Sequence, residues 1–242
     1  MLNILKSHTS VRDYQNVPIS DQEFYELIHA AQHAASSNFA QAYSVIHVKD
    51  PKKKAALGKL SNNEQQYDTA ALALLFCADL KRGETAVQLH QKEMNSGLVE
   101  DFIVATIDTA LLAQNFVVAA EASGYGICYI GGVRNKPKEI SELFNLPNYV
   151  VPLFGVTVGI PAEENEVKPR LPVESIIHED AYDEAKYDEQ LKMYDHMMHE
   201  YYKRRSTNQK ETTWSQTMAS FLTKKRRTHM MEFLRSKGFL TE

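Results

Sequence analysis

The run HTSVR at positions 8–12 carries side chains that could bind an anion. In an extended segment, side chains alternate between the two faces, so His8, Ser10 and Arg12 would share one face. Together they offer two groups that can be cationic and one hydroxyl, a set suited to phosphate. The alternative interpretation is a solvated N-terminal strand.

A second basic run is KPRLP at positions 168–172. Its two prolines restrict the backbone, so Lys168 and Arg170 would lie on the same side of an extended turn. Such a pair is preorganised to bind phosphate. A charged surface loop that serves solubility is the alternative.

Two uncharged runs could contact a flat ligand. Tyr129-Ile130-Gly131-Gly132 follows a predicted strand, and glycines allow backbone N–H groups to approach a ring or phosphate closely. It is not the GxGxxG motif of a Rossmann unit, and a simple turn would have the same composition.

The other uncharged run is Ser36-Ser37-Asn38-Phe39, at the end of a predicted helix. Its hydroxyl and amide groups suit the edge of a heterocycle and ribityl hydroxyls. Capping of the helix terminus would explain the same residues.

The sequence has few motifs for nucleophilic catalysis or for metal binding. It contains no GxSxG or HExxH motif, and His196 and His199 have only an i, i+3 spacing, so we expect no metal site. Cys77 and Cys128 lack the CxxC spacing of a metal site or a dithiol redox pair. We expect Cys77 to be a small hydrophobic residue of the core. Chemistry carried by a bound cofactor, such as a flavin, needs no protein nucleophile.

The overall composition indicates a globular enzyme. The chain has 242 residues, of which 43% are hydrophobic, and a net charge of -4 from 27 basic and 31 acidic residues, which disfavours nucleic acid as a partner. The N-terminus lacks the apolar stretch of a signal peptide, and we expect no segment that spans a bilayer. We therefore expect a cytoplasmic location.

Periodicity predicts an irregular alternation of helices and strands, and hence a three-layer α+β fold. We expect one helix over about 21–35 and a short amphipathic helix that begins at residue 51. Two further helices are expected over about 102–122 and 138–144. Strands are expected over 43–48, 71–78, 127–130 and 151–159, whereas 81–97 has no clear period. The helix over 102–122 is apolar around most of its circumference, which favours a homodimer that covers part of it.

After Pro172 the chain becomes polar and rich in tyrosine, with helices expected over about 187–205 and 214–237. We expect a core over 1–172 and a helical arm over 173–242 that packs on the core or on a partner, within one structural domain.

With these runs in order, the chain resembles the NADPH-dependent flavin reductases and oxygen-insensitive nitroreductases of the nitroreductase superfamily. The similarity extends from about His8 to the C-terminus, and its landmarks are HTSVR, SSNFAQAYSVI, FCADL, DTALLAQNFVVAAEASGYGICYIGGVRN, LPNYVVPLFGVTVGIPA, KPRLP and ETTWS. The resemblance implies a homodimer with a central mixed or antiparallel sheet, one FMN at each of two subunit interfaces, and C-terminal segments that embrace the partner.

The resemblance also implies roles for individual residues. The FMN phosphate would be surrounded by His8, Ser10, Lys168 and Arg170, with Arg12 near the pyrimidine edge of the ring. Ser36, Ser37 and the neighbouring Asn38 would contact the flavin from the other subunit, and the backbone of 129–132 would line its phosphate or ring face. The basic positions that recognise NADPH would be Arg205, Lys210 and Arg227, the last of these at the mouth of the site.

Three positions depart from the family pattern. Thr9 replaces an arginine near the phosphate, which predicts weaker FMN binding. Glu64 stands where a glutamine faces the ring, although Gln65 or Gln66 could take that place after a small slip of the chain. Lys210 replaces an arginine and lacks the bidentate fork, which predicts a weaker preference for NADPH.

The resulting hypothesis is a ping-pong enzyme in which FMN N5 takes hydride from NADPH and passes it to nitroaromatics, quinones, free flavin or azo dyes. One alternative is a non-catalytic flavin carrier or a redox-sensing FMN-binding protein. Another is an interaction protein built around the tyrosine-rich tail.

Overall fold

The computed structural model describes residues 1–205 and 209–242. They form two compact units, one of residues 1–165 and 227–242 and the other of residues 166–226. The boundary expected at residue 172, and the placement of an arm on a core, stay predictions.

A four-stranded antiparallel sheet, in the order β1-β2-β4-β3, organises the first unit. Its strands are β1 (Tyr43–His47), β2 (Leu72–Asp79), β3 (Gly126–Ile130) and β4 (Val150–Gly159). All eight residues of β2 are buried because helices cover both faces of the sheet.

One face of the sheet packs on α2 (Asp21–Ala31) and α6 (Val99–Ala122). Phe24 of α2 and Leu112 and Phe116 of α6 share a core with Leu74 and Phe76 of β2. The capping box predicted at Ser20 and Glu23 is present at the start of α2.

The opposite face packs on α3 (Pro51–Ser61), α4 (Glu64–Thr69) and α7 (Pro137–Leu143). Here Leu57, Tyr67 and Ile140 meet Ala73 and Leu75, the β2 residues that alternate with those of the first face. Helices, sheet and helices therefore form three layers, and the predicted α+β class is confirmed, with an antiparallel sheet.

Shorter elements complete the first unit. They are α1 (Leu2–Lys6), α5 (Lys81–Leu89), α10 (Met230–Ser236) and short 3-10 segments at Ser37–Phe39 and Gly131–Asn135. The helix α5 begins where Asp79 accepts the backbone N–H of Lys81, in a segment for which the sequence indicated no clear period. Phe233 and Leu234 of α10 pack with Val151 of β4.

The second unit contains α8 (Tyr187–Arg204), α9 (Trp214–Leu222) and a 3-10 turn at Val173–Ser175. Its core is aromatic: Tyr194, Met198 and Tyr201 are buried, and Leu171 and Trp214 pack against them. The tyrosine-rich tail therefore forms a small core of its own.

Two predicted helices are corrected. The first helix ends at Ala31 and not near residue 35, because residues 32–34 turn with i to i+3 hydrogen bonds. The single helix expected over 214–237 is wrong, since α9 ends at Leu222 and α10 begins at Met230. The run KKRR at 224–227 lies between them, where like charges disfavour a helix and Arg227 adopts a left-handed φ of 48°.

The helix α6 is long and apolar enough to cross a bilayer by length and composition, contrary to the expectation that no segment comes near that limit. In this fold it serves as a core helix, with Ala105, Leu112, Phe116 and Ala120 buried against the sheet.

Candidate functional site

The segment that contains His8, Ser10 and Arg12 runs beside strand β3. Ser10 forms a parallel bridge to Ile127, and the N–H of Val11 donates to the carbonyl of Ile127 at 2.8 Å. Val11 is buried, whereas Ser10 is partly exposed and Arg12 is exposed. The alternation expected from the sequence is therefore present, and the polar side chains face away from the core.

His8 is held by a carboxylate that the sequence did not indicate. Its Nδ1–H donates to Oε1 of Glu121, near the end of α6, at 2.6 Å, and the two side chains are 29% and 13% exposed. A hydrogen bond on Nδ1 fixes the plane of the ring and directs Nε2 to the opposite side. Glu121 therefore sets the direction in which His8 can meet a ligand.

Strand β3 leads directly into the glycine pair. Ile130 is buried, and Tyr129 is 37% exposed, with its hydroxyl donating to Gln114 at 3.3 Å. Burial, with a smaller contribution from the Glu121 carboxylate, raises the pKa of Tyr129, so its phenol stays neutral. Because the segment 8–12 bridges the same strand, the structure brings His8, Ser10 and Arg12 to the edge that carries 129–132.

The glycine pair allows a close approach within the protein itself. A Cβ on Gly132 would lie 2.0 Å from the carbonyl oxygen of Ser61, at the end of α3, so only glycine fits. Glu64 begins α4 directly after Asn63, whose side chain also lies beside Gly132. Glu64 and Gln65 are exposed and Gln66 is partly buried.

The 3-10 turn Gly131–Asn135 contains Arg134, and Arg227 and His229 lie beside it. Nε–H of Arg227 donates to Oδ1 of Asn135 at 3.0 Å, Nε2 of His229 lies 3.1 Å from the carbonyl oxygen of Arg134, and Arg134 donates to Leu153. Burial and the charge of Arg227 lower the pKa of Arg134, although a guanidinium stays protonated in proteins. Arg227 therefore lies beside the glycine turn, and Arg134 is a cation that sequence reasoning missed.

The loop that contains Ser36, Ser37 and Asn38 is held by α6. The carboxylate of Asp108 is fully buried and accepts the backbone N–H groups of Ser37 and Ala42. Asp108 is a second residue that the sequence did not single out, because its partners lie 71 and 66 residues away along the chain.

In the second unit, helix α8 holds the basic turn at 168–170. The hydroxyl of Tyr194 donates to the carbonyl of Pro169 at 2.9 Å, and Nζ of Lys168 lies 5.4 Å from the ring centre of Tyr202. Nη1 of Arg170 donates to the carbonyl of Lys168 at 2.6 Å. Tyrosines of α8 thus fix the backbone from which both cations project.

The predicted NADPH cations of this unit lie on the same helix surface. Arg205 donates to the hydroxyl of Tyr201 at 3.2 Å, and Lys210 lies 5.7 Å from the ring centre of Tyr202, the ring that Lys168 also contacts. Lys168 and Lys210 therefore share one aromatic neighbour. The convergence of Lys168 and Arg170 with His8 and Ser10 stays a prediction.

The described residues offer few other reactive groups. Burial raises the pKa of both thiols, Cys77 and Cys128, so neither is a thiolate near neutral pH. In the ranges 1–205 and 209–242, no group of three or more His, Cys, Asp or Glu side chains could hold a metal ion.

Two family models match the chain: "Nitroreductase family" over residues 5–160 and "Nitroreductase family, C-terminal domain" over residues 168–242. A Cr(VI) reductase of Pseudomonas sp. (strain G-1) is 54% identical over 98% of this chain and 97% of the relative. An FMN reductase (NADPH) of Bacillus subtilis (strain 168) is 37% identical, again over 98% and 97%.

Solved structures agree with this relationship over the full length of the chain. B. megaterium NfrA1 superposes with a TM-score of 0.96 and 37% identity, covering 99% of each chain. The NADPH:FMN oxidoreductase from Vibrio harveyi, complexed with NAD+, gives a TM-score of 0.91 and 33% identity, covering 100% of this chain and 99% of that one. This protein therefore belongs to the nitroreductase family, within its group of NADPH-dependent flavin reductases.

Proposed function

We propose that this protein is an FMN-dependent NADPH oxidoreductase that reduces flat, electron-poor acceptors such as free flavin, quinones, nitroaromatics and azo dyes. The observation that carries the proposal is the pairing of the segment 8–12 with β3, which aligns His8, Ser10 and Arg12 with the edge that leads to Gly131 and Gly132. Family membership supports the general activity, that of an NADPH-dependent oxidoreductase that uses FMN.

The donors on the first unit fit the chemistry of FMN. An imidazole and a hydroxyl, from the partly exposed His8 and Ser10, suit a phosphate. The space beside Gly132 is filled by Ser61 and Asn63, so this glycine serves packing within the chain and not the approach of a ligand. Arg12 would lie near the pyrimidine edge, where a cation stabilises negative charge on the ring. Lys168 and Arg170 would complete the phosphate site. When bound, FMN supplies the hydride chemistry for which the protein has no group of its own.

The cations of the second unit support a preference for NADPH over NADH. Arg205 and Lys210 are each held against a tyrosine of α8, which reduces the conformational freedom that binding would otherwise remove. Both would attract a 2′-phosphate, the group that distinguishes the two dinucleotides. Since acceptor and NADPH both need the open face of the ring, they would bind in turn, which is a ping-pong scheme.

Two features of α6 support a homodimer. Val99, Ile103, Ile107 and Leu111 recur every four residues and are 41–55% exposed, so they form an apolar stripe along one side of the helix. In addition, Asp108 and Glu121 are 13 residues apart, which is about 20 Å along a helix.

This spacing bears on how one flavin could be bound. The groups that the two carboxylates hold, Ser37 and His8, are correspondingly separated within one chain. Both would reach one flavin more readily if two chains each supplied one of them. A second copy covering the apolar stripe would provide this arrangement.

A second acceptor class has a specific observation in its favour. Arg134 and Arg227 place two guanidinium groups at the turn that contains Gly132, and an oxyanion would be attracted there. Chromate is such an anion, and the relative that is 54% identical is named a Cr(VI) reductase. We therefore include Cr(VI) among the acceptors to be tested.

The absorption spectrum of the purified protein tests the proposal, recorded before and after anaerobic addition of NADPH. A yellow protein whose flavin band bleaches supports an NADPH-dependent enzyme, and reoxidation by added acceptors ranks them. A flavin band that NADPH leaves unchanged would instead favour a flavin carrier or redox sensor. A colourless protein that takes up no FMN would favour an interaction protein. A cytoplasmic location stays a prediction.

A further inference from the structure

Asp108 is a charged residue placed where a charge is costly. Its side chain is fully buried in the middle of α6, yet it lies outside the set of residues expected to contact flavin. A buried carboxylate is tolerated when hydrogen bonds replace its water. Here the backbone N–H of Ser37 donates to Oδ1 at 2.9 Å, and that of Ala42 donates to Oδ2 at 3.1 Å.

The segment between these two amides has an unfavourable backbone. Asn38, Phe39 and Gln41 have φ values of 48°, 59° and 49°, in the left-handed region that residues with a Cβ rarely adopt. Phe39 is 80% exposed, so burial of its ring within this chain does not compensate. Such a conformation persists only where surrounding contacts impose it.

The contacts that impose it come from both sides of the loop. Asp108 accepts N–H groups at its two ends, and Arg82 donates to the carbonyls of Gln41 and Tyr43 at 3.0 and 3.1 Å. Ser36 Oγ accepts the N–H of Gln41 at 3.3 Å. The backbone N–H of Ser37 is already bonded to Asp108. The Ser37 hydroxyl is therefore the group that remains to contact a ligand.

We propose that Asp108 is a positioning residue for flavin binding: it holds the loop 36–42 in the left-handed conformation that presents Ser37 and Asn38 to the flavin ring. This inference rests on the proposed function, because it assumes that the ligand is FMN. It adds a residue whose carboxylate acts through the backbone of the loop.

The substitution Asp108→Asn tests the role with almost no change in shape. An amide retains one acceptor oxygen, so one of the two loop N–H groups would lose its partner and face an NH2 group. We expect the Kd for FMN, measured by fluorescence titration of the apoprotein, to rise about tenfold, which corresponds to about 1.4 kcal/mol. The Kd for riboflavin should rise by the same factor, because the loop would contact the ring and not the phosphate.

A rescue experiment separates positioning from general stability. Gln41→Gly removes the Cβ that disfavours the left-handed backbone, whereas Gln41→Ala removes the same side chain but keeps the Cβ. In the Asp108→Asn background, the glycine variant should recover about threefold or more in FMN affinity. The alanine variant should recover nothing.

The outcomes distinguish this inference from the proposed function. A wild-type protein that binds no FMN defeats the proposed function, whatever Asp108 does. If the wild type binds FMN and Asp108→Asn binds it equally well, the positioning role is wrong. Equal behaviour of Gln41→Gly and Gln41→Ala in the variant background would also overturn it, since Asp108 would then only stabilise the core.

Hydrogen exchange on the wild-type apoprotein provides a test if Asp108→Asn does not fold. The amides of Ser37 and Ala42 should exchange as slowly as those of α6 around Leu112, because a buried carboxylate protects them. Rapid exchange of these two amides would contradict a loop held by Asp108.

Discussion

The contact between His8 and Glu121 leads to a prediction about the phosphate of the flavin. Glu121→Gln keeps the length of the side chain but removes its charge, so the hydrogen bond to Nδ1 of His8 weakens and the ring is oriented less firmly. If His8 contacts the phosphate, FMN affinity should fall. Riboflavin, which has the same ring and no phosphate, should bind as before.

The expected size of the effect follows from the geometry of this contact. A hydrogen bond to a charged group contributes about 1.5–3 kcal/mol, and one between neutral groups about 0.5–1.5 kcal/mol. The side chains of His8 and Glu121 are 29% and 13% exposed, and solvent screening reduces the difference to about 1 kcal/mol. The Kd for FMN should therefore rise about fivefold.

The assay is a fluorescence titration of apoprotein with FMN and, separately, with riboflavin. Glu100→Gln is the matched control, because Glu100 is an exposed glutamate at the other end of the same helix. An equal loss for both flavins would show that Glu121 only stabilises the fold. No loss for either flavin would show that His8 does not need this carboxylate, and both results refute the reasoning.

Three further predictions concern the dinucleotide, the dimer and the shared site. Replacing Arg205 and Lys210 with alanine should raise the KM for NADPH about tenfold and that for NADH less than about twofold; equal increases in steady-state kinetics, with Arg204→Ala as control, would contradict the assignment. Ile107→Glu places a charge in the apolar stripe of α6 and should raise the dimer dissociation constant about 30-fold or more, and sedimentation that shows an unchanged dimer would exclude this surface. Mixing His8→Ala chains with Asp108→Asn chains should restore one tight FMN site per mixed dimer; without recovery in a binding titration, both groups must act within one chain.

The parts of the fold that depend on local period could be predicted from the sequence. The alternation at 8–12 places Val11 inside and Ser10 outside, and Ser20 with Glu23 begins the first helix. Hydrophobic patterns also located the strands to within a residue or so. These features depend on neighbours along the chain, which a sequence displays directly.

The carboxylates that hold the candidate site could not be predicted in the same way. Glu121 meets His8 over 113 positions, and Asp108 meets Ser37 over 71. In the sequence, each is one polar residue within an apolar helix. Their partners become visible only when the fold brings α6 beside the two loops.

The error over 214–237 has a different cause. One polar helix is expected here from the sequence, but residues 223–229 carry no apolar side chain, and the cations at 224–227 repel one another. The backbone turns at Arg227, which then bonds to Asn135 in the first unit. The residue expected to lie at the mouth of the site therefore lies in the turn that separates α9 from α10 along the chain.

The helix α6 links these observations, because its different sides have different partners. Leu112 and Phe116 attach it to the sheet, Asp108 and Glu121 hold the two loops expected to contact flavin, and Ile107 belongs to the exposed apolar stripe. A helix that met only the sheet would need neither carboxylates that bond to two loops nor an apolar outer side. The same helix can therefore position one loop from its middle and another from its C-terminal end, and it provides the surface through which a second chain would bring the complementary loop to each flavin.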